Sequence, residues 1–357
     1  MTAPAPYWRA SAGAATPPPI TSASAAPLCG AACAPVNSHP TTHHSMDDWP
    51  HLHDLWQHCT GRRSAAGASG LARDQQDIKA LYARGISMED ALHFLYQQRP
   101  TVKAYSDWIA ARTRARPAHA ASAHQDVLSA AELRHFDEHG YLVLRGAVPR
   151  AQCAAARAAI WEYLGASPDD AASWYQPHPG KRGLMLQFSD HPALEENRHS
   201  AHVHHAYQQL YDTSTGAGTG IYASIDKVSF NPPETPQHRF PGSALHWDVS
   251  LQQPIPFKLQ GMLYLSDCPA QHGAFHCVPG FQHHLPAWLQ QVPQGRQPRE
   301  WAVEDLRPVP VEGMAGDFII WHQALPHCAT PNRGPAPRMV QYLTYLPDHC
   351  QDQDAWV

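Results

Sequence analysis

From about residue 46 the apolar positions recur with a helical period. "DQQDIKALYARG" runs to Gly85, a helix stop. "SMEDALHFLYQQRP" opens on Ser87 with Asp90 three residues on, close to a capping box. Leu92, Leu95 and Tyr96 then repeat at helical spacing. "TVKAYSDWIAARTRA" sets Val102, Tyr105 and Ile109 on one face of a further helix. These segments predict a small helical module over 46–118, ending in a linker within "RARPAHAASAHQD". The preceding residues 1–45 are mostly Ala, Pro, Ser, Thr and His. They bury too little apolar area to offset the entropy of ordering, so a disordered tail is expected there.

The pattern changes over 119–357. Ser129 caps a helix that stops at Gly140, "YLVLRG" is a short strand, and "RAQCAAARAAIWEYLG" is an Ala-rich helix ending at Gly165. After about residue 220, short apolar runs alternate with Gly/Pro turns: "IYASIDKVSF", "FKLQGMLYLSD", "GAFHCVPG", "RPVPVEG", "GDFIIWH" and "RMVQYLTYLP". Many short strands separated by such turns predict a mainly β domain with helices, a double-sheet jelly roll or barrel.

Composition narrows the function. The net charge of -5, with no basic block, gives nucleic acid nothing to bind. No apolar run reaches the roughly 18 residues of a membrane span, and the N-terminal stretch lacks the basic and apolar regions of a signal peptide. A soluble cytoplasmic enzyme acting on a small molecule is expected. The eight cysteines form no CxxC pair. Cys29 and Cys33 read as idle thiols, the others as small buried hydrophobes in a reducing compartment.

The chemistry centres on "LHWDVS". His246 and Asp248 are two apart, and in a strand such residues share a face, so one strand end aims an imidazole and a carboxylate at one point. Trp247 between them would point the other way and pack. "GDFIIWHQALPHCATPNRGPAPR" offers a second histidine, His322 or His327. Two His and one carboxylate on one face of an octahedron are the ligand set of non-haem Fe(II) oxygenases. Arg338 follows His327 by eleven residues. Its planar fork suits the distal carboxylate of a keto acid.

Three motifs in order carry a resemblance: "HWD" at 246–248, "GAFHCVPGFQHH" at 273–284 and "GDFIIWHQALPHCATPNRGPAPR" at 316–338. With "LSAAELRHFDEHGYLVLRGAVP" upstream, the chain from about 125 to 347 resembles the phytanoyl-CoA dioxygenase family. The resemblance implies a double-stranded β-helix (jelly-roll, cupin-like) core with flanking helices. It implies Fe(II), the co-substrate 2-oxoglutarate and O2. It makes His327 the third iron ligand, Arg338 the oxoglutarate anchor and His322 a structural residue earlier on the same strand. Ala329 stands where the family often has a Ser touching oxoglutarate, with Thr330 as its replacement. Lys227 and Tyr264 are further candidate contacts, against solvated-strand and core-packing alternatives. A halogenating subgroup lacks the carboxylate ligand, so Asp248 favours hydroxylation or a related oxidation. Histidines must be neutral to ligate, so activity is expected to fall below roughly pH 6. Lys181 and Arg182 read as a surface loop or as recognition of a substrate anion, and "HVHH" at 202–205 as stray exposed histidines. The competing functions are a cupin-like metal dioxygenase that does not use oxoglutarate and a catalytically degenerate binding protein.

Overall fold

The computed structural model describes residues 49–61, 70–113, 125–215, 220–240, 242–348, 350, 353, 356 and 357. The expected tail at 1–45, the Cys29/Cys33 pair and most of the linker lie outside the described residues. The described residues gather into one compact unit.

Four helices open the described chain: α1 (Pro50–Cys59), α2 (Gly70–Tyr82), α3 (Met88–Gln98) and α4 (Val102–Arg112). The Ser87 hydroxyl accepts from the Asp90 amide at 3.1 Å and Thr101 caps α4, satisfying first-turn amides that a helix leaves open. The helices close over one apolar cluster that includes Leu52, Trp56, Leu81, Leu95, Tyr105 and Ile109. Tyr96 departs from the expected stripe: it is 50% exposed, and the buried face of α3 runs through Ala91 and Leu95. These two are four residues apart, as one helix face requires.

The β domain begins with α5 (Ala130–His139), where Ser129 and Glu132 form a complete capping box and Gly140 ends the helix at φ 73°. Next come β1 (Tyr141–Leu144), α6 (Arg150–Leu164), β2 (Lys181–Arg182), β3 (Met185–Leu186), α7 (Pro192–Arg198), α8 (Ala201–Thr215) and β4 (Ile221–Asn231). The chain continues through β5 (Leu259–Tyr264), β6 (Phe275–Cys277), α9 (Phe281–Gln291), α10 (Pro298–Asp305), β7 (Val309–Val311), β8 (Phe318–His322), β9 (His327–Ala329) and β10 (Arg338–Pro347).

The strands form a seven-stranded sheet of order β1-β8-β5-β10-β4-β3-β2 and a three-stranded sheet of order β7-β6-β9. This is the jelly-roll architecture, with two facing sheets and no closed barrel. Side-chain alternation gives the large sheet two apolar faces. Met339, Leu343, Val228 and Phe230 pack on the helical side with Tyr207 and Tyr211 of α8. Val340, Met262, Tyr264 and Trp321 face the small sheet and meet Phe275, Val311 and Cys328. The chemistry lies on this inner face.

Two local expectations are corrected. His246 does not lie on a strand: residues 242–250 are irregular, and only an isolated bridge joins His246 to His327. Nor do His322 and His327 share a strand. His322 ends β8 in the large sheet, whereas His327 starts β9 in the small one.

Candidate metal centre

His246 and His327 form a close antiparallel pair. The His246 amide donates to the His327 carbonyl at 3.0 Å, and the His327 amide donates back at 2.9 Å. Beside them the Ser243 hydroxyl accepts from the Ala329 amide at 2.8 Å. This segment thus adds only a few contacts along β9, and the chain bends at Asp248 and Val249 with the Asp248 carboxylate beside both imidazoles. Its Oδ2 lies 3.2 Å from Nε2 of His327, and Oδ1 lies 3.6 Å from Nε2 of His246. Among the described residues this is the group that meets the spacing of a metal site, with all three ligand atoms within 4.8 Å of one another.

The tautomers suit ligation. Nδ1 of His246 bonds the Ala244 carbonyl at 2.8 Å, and Nδ1 of His327 bonds the Leu325 carbonyl at 3.1 Å. A carbonyl only accepts, so each Nδ1 carries the proton and each Nε2 is left with a lone pair. Burial, then the neighbouring His327, lowers the pKa of His246. It therefore stays neutral to a lower pH than an ordinary imidazole, which moves the acid limb of metal binding down rather than up. Burial alone would raise the pKa of Asp248, but His327, His246 and Gln260 outweigh it and hold the carboxylate well below its usual range. The site is open on one side: His327 is buried, while the side chains of His246 and Asp248 are 38% and 47% exposed.

The profile of the phytanoyl-CoA dioxygenase (PhyH) family matches residues 136–340, more than half of the chain. The chain belongs to this family. Its cofactors are accordingly iron, 2-oxoglutarate and O2, and its general class is that of non-haem iron, 2-oxoglutarate-dependent enzymes. Three solved structures are similar. The non-heme alpha ketoglutarate dependent carbocyclase SnoK from nogalamycin biosynthesis is 20% identical, over 61% of this chain and 84% of that one, with a TM-score of 0.44. The epimerase SnoN from the same biosynthesis is 17% identical over 60% and 81%, with a TM-score of 0.43. AviO1 from Streptomyces viridochromogenes Tue57 is 18% identical over 64% and 98%, with a TM-score of 0.44. No curated protein sequence matches.

Arg338 is the residue expected to anchor the co-substrate. It opens β10 and is 2% exposed. Its Nη2 meets the Met262 sulfur at 3.8 Å, its guanidinium lies 5.9 Å from the Tyr264 ring centre, and the Tyr342 and Cys268 side chains are beside it. Nε and Nη1 have no hydrogen-bond partner, and no carboxylate among the described residues pairs with the charge. A buried, uncompensated guanidinium is costly and calls for an anion. Neighbouring polar atoms are orphaned too: Ser229 Oγ, both amide atoms of Asn231, and Thr330 Oγ1. Asn231 is the direct cross-strand partner of Arg338, and Ser229 of Val340, so these side chains share the inner face. A keto acid, with carboxylates and a carbonyl to accept from these donors, fits this lining.

The other candidates are placed as follows. Lys227 is half-buried on the inner face opposite Tyr342. Tyr264 is fully buried and its hydroxyl is committed: it donates to the Val311 carbonyl at 2.8 Å and accepts from the Phe275 amide at 3.0 Å, tying the two sheets together. His322 accepts from the Ala324 amide, and burial pushes its pKa down to about 4. Trp247 is 2% exposed and its indole donates to the Ala324 carbonyl at 2.8 Å. Lys181 and Arg182 are split by alternation. Arg182 stands opposite Met185, itself opposite Ser229, on the inner face. Lys181 lies over the Phe230 ring on the helical face. His204 and His205, expected to be exposed, are buried on α8, and His204 bonds the Arg198 carbonyl at 2.7 Å.

Sequence patterns do not reveal what holds the irregular ligand loop. Arg299 of α10 donates to the Trp247 carbonyl at 2.8 Å and to the Val249 carbonyl at 2.7 Å, clamping the backbone on both sides of Asp248. Arg299→Met is expected to raise the Kd for a divalent metal about tenfold and to cost ~2 kcal/mol of stability, the scale of two charge-assisted bonds partly replaced by water. Metal titration and thermal melts check this. Wild-type values in both would show that the loop holds without the clamp. Two further motif residues shape the backbone. Asp317 accepts from Arg145, Gly146 and Met314, fixing the turn into β8. Asn332 bridges the Asn231 and Ala336 carbonyls, fixing the turn that delivers Arg338.

Proposed function

We propose that this protein is an oxygenase that hydroxylates, or otherwise oxidises at a C–H bond, a small-molecule substrate while converting 2-oxoglutarate to succinate and CO2. The observation that carries this is the pairing, inside one roll, of a two-histidine, one-carboxylate cluster with a buried guanidinium that lacks a counter-charge. His246, Asp248 and His327 would hold the iron, and Arg338 the distal carboxylate of oxoglutarate, with Thr330, Ser229 and Asn231 beside it. Iron with oxoglutarate supplies the oxidising power, using O2.

The protein's own contribution is placement. The Nδ1–carbonyl bonds keep both imidazoles turned with Nε2 into the recess. Arg338 fixes the far end of the keto acid and so sets where its reactive end lies. The inner wall of Met262, Trp321 and Phe275 gives the site one apolar side. Arg182, on the inner face at the rim, suits an anionic group on the substrate. Because Asp248 fills the carboxylate position that halide takes in the halogenating subgroup, oxygen insertion is favoured over halogenation. A metal dioxygenase without oxoglutarate would leave Arg338 uncompensated, and a degenerate binding protein would have no use for three converged ligands.

The test is turnover under 18O2 with Fe(II), oxoglutarate and a panel of candidate substrates. One labelled oxygen is expected in succinate and one in the product. Succinate that carries label beside an unlabelled product would turn the assignment from hydroxylation to desaturation or ring closure, and absence of succinate would remove the oxygenase assignment.

A further inference from the structure

We propose that Gln260 is a positioning residue for the iron site: its amide holds one oxygen of Asp248 and leaves the other as the single ligating atom. This rests on the assignment of His246, Asp248 and His327 as iron ligands.

Gln260 lies on β5, on the inner face of the large sheet. Its Nε2 donates to Oδ2 of Asp248 at 2.8 Å. Its Oε1 accepts from the Trp321 indole at 3.0 Å. An indole N–H only donates, so the amide oxygen must face Trp321 and the NH2 group must face Asp248. The orientation of the amide is therefore set by chemistry. Trp321 is the direct cross-strand partner of Gln260 between β5 and β8, and it is 3% exposed. Its ring packs against Phe275 at 4.6 Å and His327 at 5.4 Å. The rigid sheet thus reaches across the roll to orient a ligand carried by an irregular loop.

The need for this follows from coordination chemistry. Asp248 has two equivalent oxygens and stands on a segment with no strand to fix it. Two histidines and a chelating keto acid fill four of about six octahedral positions, and O2 needs one. A carboxylate that spreads over two positions closes the site. Oδ2, 3.2 Å from Nε2 of His327, carries the Gln260 bond, and Oδ1, 3.6 Å from Nε2 of His246, is the oxygen that Gln260 leaves free. Outer partners of this kind typically change metal affinity about 10- to 100-fold.

The experiment is an anaerobic Co(II) titration of the full chain, read by visible d–d absorption, for wild type, Gln260→Met, Gln260→Asn and Asp248→Ala. Methionine keeps the volume without the donor, and asparagine keeps the amide but falls one methylene short. Both are expected to raise the Co(II) Kd roughly 10- to 100-fold and to shift the spectrum at saturating metal, with a modest fall in melting temperature where the Trp321 indole loses its acceptor. A purely structural role would lower the melting temperature and leave the saturated spectrum alone. Wild-type Kd and spectrum in either folded variant, or loss of fold in both, would overturn the inference. If wild type takes up no Co(II), or Asp248→Ala binds as tightly as wild type, the ligand assignment itself fails; that result is distinct from failure of Gln260 alone.

Discussion

Asp248→Ala is expected to cut succinate production by roughly 1,000-fold or more, equivalent to at least about 4 kcal/mol of lost transition-state stabilisation. The carboxylate is the only anion in the cluster, and without it two neutral imidazoles face the recess. Its hydrogen-bond donor is the Gln260 amide and no backbone group holds it, so the fold has little to lose. Thermal melts of the variant should stay near wild type while succinate, measured by chromatography after incubation with Fe(II) and oxoglutarate, disappears. Wild-type succinate from this variant would remove Asp248 from the iron site.

Arg338→Met is expected to act in two opposite directions. In the cofactor-free protein it should raise stability by ~1–3 kcal/mol, because a buried guanidinium with two unpartnered nitrogens is replaced by an apolar chain beside Met262 and Tyr264. At the same time oxoglutarate binding should weaken about 100-fold or more, since a charge-assisted pair in a dry site is lost. Co(II) uptake should persist, because Arg338 contacts none of the three ligands. Thermal melts with and without oxoglutarate separate the two effects: wild type gains stability from oxoglutarate and the variant does not. A destabilised variant that still binds oxoglutarate would show that the guanidinium has a structural partner instead.

The sequence was most legible where a residue's role depends on its near neighbours. Ser129, Glu132 and Gly140 mark a helix start and stop because capping is a local interaction, and the structure places α5 between them. The alternating runs that became β4, β5, β8 and β10 were visible because the jelly roll buries two faces of one sheet. HxD and the closing segment were visible as motifs, and the structure brings His246, Asp248 and His327 together. The first two do not lie on a strand: His246 makes a single isolated bridge and the chain bends at Asp248, a detail that period-two patterning cannot encode. β9 was too short to show a period, so His322 and His327 read as one strand. Arg299 and Gln260 lay beyond sequence reasoning for a different reason. Each acts across the fold on groups 50 and 12 residues away respectively, through a carbonyl or a single carboxylate oxygen, with no spacing that repeats. Tyr96 shows the reverse error, an apolar residue at helical spacing that the module leaves in solvent.

The central claim is that one cavity holds both an iron site and an oxoglutarate anchor. Anaerobic titration of the wild-type chain with Fe(II) and oxoglutarate, followed by visible absorption, tests it most directly. A weak charge-transfer band is expected only when both are present, absent from Asp248→Ala and, at the same oxoglutarate concentration, from Arg338→Met. No band in wild type, or an equal band in Arg338→Met, would contradict it.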